Sequence, residues 1–139
     1  EGLAGSVTVS PSPNGRKLMV RLSESLLFTP GSANLEAESA PLIDKISELI
    51  ATTNKPVCVE GHTDNIPINN AQFHSNWELS TARAASVIRY IIDKHGFSPE
   101  LLSASGYGEF RPVAPNDTPE NRAKNRRVEF VITDKEEEN

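Results

Sequence analysis

A chain of 139 residues suits one domain, and with 37% of it hydrophobic a single buried core is within reach, which excludes disorder along its whole length. The net charge of −5, from 14 basic against 19 acidic side chains, excludes a general nucleic-acid binder. One cysteine, Cys58, excludes an intramolecular disulfide; set between Val57 and Val59, it reads as a buried, inert thiol.

In chain order, Ser6 to Val9 and residues 16–22 read as two strands of a hairpin, joined through Pro11-Ser12-Pro13-Asn14-Gly15, where Asn-Gly suits a turn with positive φ. Leu18, Val20 and Leu22 alternate with Lys17, Met19 and Arg21, the period of a half-buried strand. Leu42, Ile43, Ile46, Leu49 and Ile50 make one helical stripe, with Pro41 in the first turn or at a bend. Val57-Cys58-Val59-Glu60-Gly61 is a short buried strand, followed by a polar loop over residues 62–75.

Ser75-Asn76-Trp77-Glu78 has the form of a capping box and starts a second helix. Ala84, Val87, Ile88, Ile91 and Ile92 give that helix its core face, and Gly96 ends it. Residues 101–107 form a third core strand candidate. Thr118-Pro119-Glu120 caps a short helix, and residues 127–132 are the last strand. The predicted fold is α+β: a β-hairpin followed by β-α-β-α-β-(short α)-β, a mixed sheet with helices packed on one face. Residues 1–132 are expected to form one domain, with 1–27 the hairpin and lead-in and 28–132 the motif-bearing core; 133–139 reads as a solvated acidic tail. No run approaches the roughly 18 apolar residues of a membrane span and residues 1–5 are no signal peptide, so any targeting or anchoring segment is expected outside this sequence.

The three histidines, His62, His74 and His95, come without a nucleophile elbow or a zinc-binding helix motif. His62 and Asp64 could present two metal ligands on one loop, but no third or fourth has the usual spacing, and the sequence does not read as an enzyme or imply a cofactor. The late basic residues Arg111, Arg122, Lys124, Arg126 and Arg127 read as a solvated face.

A pair of opposite charges is more informative. Asp64 follows a strand exit, where loops commonly carry binding groups. At about 100° per residue, Arg83 lies about 110° from the centre of its helix's apolar stripe, where its stem can pack while the guanidinium reaches a cleft edge. Together they match a zwitterion, Asp64 accepting from an ammonium and Arg83 holding a carboxylate. By spacing alone, a simple Asp64–Arg83 salt bridge or two solvated charges is the commoner outcome. Trp77 fits a hydrophobic staple more often than a ligand platform, Asn76 a cap or a ligand donor, and Leu79 the core.

These residues also carry a resemblance. Gly61-His62-Thr63-Asp64 and Asn76-Trp77-Glu78-Leu79-Ser80-Thr81-Ala82-Arg83-Ala84 resemble the G-H-T-D and N-x-x-L-S-x-x-R-A motifs of OmpA-like domains. Leu102-Ser103-Ala104-Ser105-Gly106-Tyr107-Gly108-Glu109, then Arg111-Pro112, Asn116-Asp117-Thr118, Arg122-Ala123 and Asn125-Arg126-Arg127-Val128-Glu129, are similar to that family's later segments, so the likeness spans about residues 28–132. The resemblance implies a mixed sheet with helices on one side and non-catalytic binding of peptidoglycan through the diaminopimelate of its stem peptide. It assigns the ammonium to Asp64 and the carboxylate to Arg83, and puts Thr63, Asn76 and Leu79 along the same pocket. Arg126 is a weaker member, since ordering the fold is an alternative role for the Asn-Arg-Arg stretch.

The loop from Asn65 to His74 is longer than in many OmpA-like domains, and with Ser75-Asn76-Trp77-Glu78-Leu79-Ser80 it looks like the MotB-type stator B subunits of flagellar motors. That likeness implies a periplasmic, wall-anchoring part of a single-pass membrane protein, a homodimer, and a stator A subunit as partner through a transmembrane helix. A wall tether of an outer-membrane protein or lipoprotein is the alternative. The longer loop puts the pocket's outer wall in question. Asp64→Ala and Arg83→Ala, both outside the core stripe, are expected to abolish wall binding and leave the fold intact.

Overall fold

A computed structural model describes residues 7–11 and 17–133. Strands β1 (Val7–Pro11) and β2 (Lys17–Ser23) are followed by two short 3-10 turns, then α1 (Ala40–Ala51), β3 (Val57–His62), α2 (Asn76–His95), β4 (Leu102–Gly106), α3 (Pro119–Asn125) and β5 (Arg127–Thr133). The sheet order is β1-β2-β5-β3-β4. β3 and β4 run parallel across the α2 crossover, and the other pairings are antiparallel. This is the predicted mixed α+β arrangement with one strand fewer. Between the hairpin and α1 the described residues form 3-10 turns and no strand, so β2 itself precedes the first helix and the sheet has five strands rather than six.

Alternation along the strands divides the sheet into two faces. Val20, Leu22, Val57, Val59, Val128, Phe130 and Ile132 turn inward and pack with Ile43, Ile46 and Ile50 of α1 and Ala84, Val87 and Ile91 of α2. The opposite face carries polar and charged groups. Arg21 and Arg127 both donate to the Glu129 carboxylate, at 3.0 and 2.6 Å, and His62 Nε2 lies 3.1 Å from Glu60.

Local chemistry sets the ends of α2. The Ser75 hydroxyl caps the helix by accepting from the Trp77 N–H at 3.2 Å and donates to the Glu78 carboxylate, so the two residues of the predicted capping box meet side chain to side chain. Gly96 closes the helix in the left-handed region at φ 67°. Thr118 caps α3 by accepting from Asn121 N–H, and Pro41 lies in the first turn of α1.

Several expectations need correction. Cys58 is half-buried on the polar face, its sulfur 3.6 Å from the Ser105 hydroxyl, because only alternate residues of β3 reach the core. Leu49 is exposed, so α1 buries a narrower stripe than its apolar spacing suggests. β4 is an edge strand of half-buried and exposed residues, flanked by β3 alone. The late basic residues do not share a solvated face: Arg127 is buried against Glu129, while Arg111 lies over the Tyr107 ring. β5 runs through Thr133, whose N–H donates to Pro56 O at 3.0 Å. The Asn14-Gly15 turn and residues 134–139 of the expected tail lie outside the described residues.

Candidate functional site

Where β3 leaves the sheet, a cleft of about 260 Å³ opens between the start of α2, the segment after β2 and the loop after β3. Asn76, Leu79 and Arg83 line it from successive turns of α2, at spacings that share one helical face. Thr63 and Asp64 form its floor, Glu24, Pro30 and Gly31 one wall, and Ile66, Pro67 and Ile68 another, with Arg126 entering from the junction of α3 and β5.

The floor is tightly tied. The Thr63 N–H donates to Gly108 O at 2.9 Å and its hydroxyl to Asp64 O at 2.8 Å. One Asp64 carboxylate oxygen accepts from Ile66 N–H at 3.0 Å, and the other from Arg126 Nη1 at 2.6 Å. The Asn76 amide faces Asp64 O, Ile66 O and a Glu109 carboxylate oxygen at 3.1 to 3.4 Å. It therefore fastens the helix start to the loop, while Ser75 does the capping.

Arg83 is only 3% exposed, deeper than a flank position predicts. Its Nε donates to Ser32 O at 2.8 Å and its Nη2 to Thr29 O at 3.1 Å, while Nη1 pairs with Glu24 at 2.7 Å. The guanidinium also lies 4.8 Å from the Phe28 ring centroid. Burial lowers its pKa, against the opposing charge of Glu24, yet a guanidinium stays protonated. With so many buried partners, Arg83→Ala is not a neutral change to the fold, contrary to the expectation drawn from its angle.

Asp64 and Arg83 neither pair with each other nor stand free in water. Arg126 bridges them, donating to Asp64 and, at 2.9 Å through Nε, to Glu24, which in turn holds Arg83. Burial works against the Arg126 charge, but the bonds to Asp64 and Glu24 outweigh it and raise its pKa. The cleft thus contains an alternating chain, Asp64–Arg126–Glu24–Arg83, with two charges of each sign.

All six residues singled out in the sequence line this cleft, and Leu79 serves both the cleft and the buried interior. Glu24 went unrecognised; it stands in an unremarkable Ser-Glu-Ser stretch, and only the folded chain brings it to two arginines. The long loop supplies the outer wall. Asn70 organises it by accepting from the N–H groups of Gln72 and Phe73, both at 2.9 Å.

His62 does not join Asp64 as a metal pair. It is buried on the polar face, stacked on Tyr107 and grouped with Glu60 and Glu129. The two arginines on Glu129 oppose a divalent ion there.

A mixed five-stranded sheet, helices on one face and a charged cleft at the exit of β3 define an OmpA-like domain. The chain belongs to the OmpA family, whose profile matches residues 27–126. It is 43% identical over 117 residues to Motility protein B of Bacillus subtilis, covering 83% of this chain and 44% of that protein. Motility protein B of Helicobacter pylori is 41% identical over 120 residues, covering 84% and 46%. The periplasmic domain of H. pylori MotB superposes with a TM-score of 0.81 at 33% identity, over 94% of this chain and 90% of that one. The cell wall anchor of the T6SS from Pseudomonas aeruginosa superposes with a TM-score of 0.84 at 34% identity, over 91% and 87%. The chain spans less than half the length of these two Motility protein B relatives.

Proposed function

We propose that this chain is a non-catalytic peptidoglycan-binding module that anchors a flagellar stator to the cell wall. The observation that carries the reading is the alternating charge chain in the cleft. A diaminopimelate side chain brings an ammonium and a carboxylate, the two charges needed to exchange with that chain while keeping the cleft neutral. The ammonium replaces Arg126 on Asp64, and the carboxylate replaces Glu24 on Arg83, with the released Arg126 as a second donor. Thr63 and Asn76 hold the cleft in register, and Leu79, Ile66 and Ile68 give the methylene stem an apolar wall. Both cleft carboxylates are engaged by guanidiniums, which suits recognition of charge rather than proton transfer.

The likeness to Motility protein B supports the stator role over a general tether. In that role residues 1–132 act as one domain on the periplasmic side of the inner membrane, homodimerise, and meet a stator A subunit through a membrane helix in the rest of a longer protein. Among the described residues, no helix is long and apolar enough to cross a membrane. The likeness to a T6SS cell wall anchor favours a second reading, a wall tether for another envelope assembly.

Co-sedimentation with diaminopimelate-type sacculi tests the wall-binding claim. Wild type should pellet with the sacculi and Asp64→Ala should stay in the supernatant; equal pelleting of both removes Asp64 from the site, and failure of both removes the function.

A further inference from the structure

Beside the cleft lies a feature that charge recognition does not use. Trp77 and Phe110 stack on one another, with ring centroids 5.2 Å apart and planes 22° from parallel. They remain 49% and 61% exposed, so Trp77 is not the buried staple that its position in the first turn predicts. The pair is fixed to the cleft from below. Trp77 follows Asn76, Phe110 follows Glu109, and Asn76 donates to the Glu109 carboxylate. Gly108 lies beneath both rings, at φ 60°, and its carbonyl accepts from the Thr63 N–H on the cleft floor. Trp77 also lines a shallow groove of about 480 Å³ with Phe73, Ala82 and Ala85 and, at its polar edge, Gln72, Glu78 and Thr81. The Glu78 carboxylate already accepts from the Ser75 hydroxyl, and the Thr81 hydroxyl donates to Trp77 O. That leaves the Gln72 amide and the remaining acceptor sites of Glu78 and Thr81 for hydroxyl and amide groups.

We infer that the Trp77–Phe110 pair and its polar rim form a second subsite, which takes an N-acetylated pyranose ring of the glycan strand. The inference rests on the peptidoglycan reading, because a stem peptide is covalently joined to its glycan and brings sugar rings to the surface next to its own cleft. A pyranose presents axial C–H bonds, apolar and slightly positive, to the negative face of an aromatic ring, while its hydroxyl and acetamido groups need donors and acceptors at the rim. A stacked aromatic pair with an amide, a carboxylate and a hydroxyl beside it meets both needs. A second protein chain fits less well: two half-exposed rings offer on the order of 200 Å², against about 800 Å² per partner in a stable interface.

Trp77 is the chain's one tryptophan, so its fluorescence reports on the platform directly. The test titrates the chain with peptide-free glycan strands and with chitotetraose, and separately with free diaminopimelate-containing stem peptide followed by calorimetry. Glycan should give a saturable change in Trp77 emission. Phe110→Ala should weaken that binding about tenfold and leave stem-peptide affinity unchanged. Asp64→Ala should do the reverse. Thermal melting of Phe110→Ala should match wild type, since the ring is mostly solvent-exposed.

A stem peptide that binds while neither glycan probe perturbs Trp77 overturns the subsite and leaves the cleft reading in place. A glycan response that Phe110→Ala does not weaken overturns it as well. If stem peptide fails to bind but glycan binds in a Phe110-dependent way, the subsite stands and the charge-exchange reading falls. A lower sedimentation mass for Trp77→Ala, without glycan binding in wild type, reassigns the rings to a contact between copies and overturns the inference.

Discussion

Within the cleft, Asp64 and Arg83 are equal in the proposed recognition and unequal in what they hold together. Asp64 can lose its charge and keep its shape: Asp64→Asn still offers an oxygen to the Ile66 N–H, and Arg126 keeps Glu24. That change should abolish wall binding at a stability cost of about 1 kcal/mol or less, since Arg126 is one-third exposed and its pairing is solvent-screened. Arg83→Ala instead strips partners from Glu24, Thr29 O and Ser32 O in a buried setting, and should cost about 3–5 kcal/mol as well as binding. Arg83→Lys should recover only part of either, because one ammonium cannot serve three acceptors in a planar fork. Urea midpoints measured beside sacculus binding separate these outcomes; equal midpoints for Asp64→Asn and Arg83→Ala would refute the assigned packing role. At this scale the sequence marked both charges, because G-H-T-D and the R-A pair sit in recognisable local frames. It could not mark Glu24, whose partner Arg126 is 102 positions away and meets it only after β2 and β5 have paired.

Between elements, the cleft depends on how closely α2 approaches β3 and β4. Gly61 and Gly106, directly paired in the parallel ladder, lie beneath the helix backbone at Ser80 and Thr81. A Cβ at either position would overlap backbone atoms of α2, which cannot swing aside as a side-chain tip would. Gly61→Ala and Gly106→Ala should each destabilise by about 1–3 kcal/mol or more. Gly61→Ala should also weaken wall binding, because Asn76 and Arg83 ride on the displaced helix. Gly96→Ala is the useful contrast: nothing lies within 4 Å, so its cost is only the left-handed backbone, about 1 kcal/mol, with binding unchanged. Thermal melts and sacculus binding of the three variants test the distinction. The helices were legible because caps and apolar stripes are local, although α1 buries Ile43, Ile46 and Ile50 and leaves Leu49 out. β4 was misread as a core strand because its apolar content does not encode how many neighbours flank it.

Across the whole molecule, the two faces of the sheet separate stability into an apolar layer and a charged one. The charged layer crosses three strands: Arg21 on β2, Glu129 and Arg127 on β5, and His62 beside Glu60 on β3. Burial alone would raise the Glu129 pKa. The Arg127 hydrogen bond and charge, with lesser help from His62 and Arg21, overcome that and hold the carboxyl below its ordinary 4.5. A carboxyl with a lower pKa folded than unfolded binds its proton more weakly in the fold. Its stabilisation is therefore complete above about pH 4.5 and drains away as pH falls through the folded value. Protonation also leaves Arg127, 4% exposed, beside a neutral partner, so acid should unfold the sheet from this face while the apolar face is indifferent to pH. Glu129→Gln should lower stability at neutral pH by about 3–5 kcal/mol and flatten the dependence of stability on pH below 4.5. Urea midpoints of wild type and variant across pH 3 to 7 decide the matter. Converging curves place the acid-labile bond at Glu129, and parallel curves place it elsewhere in the fold.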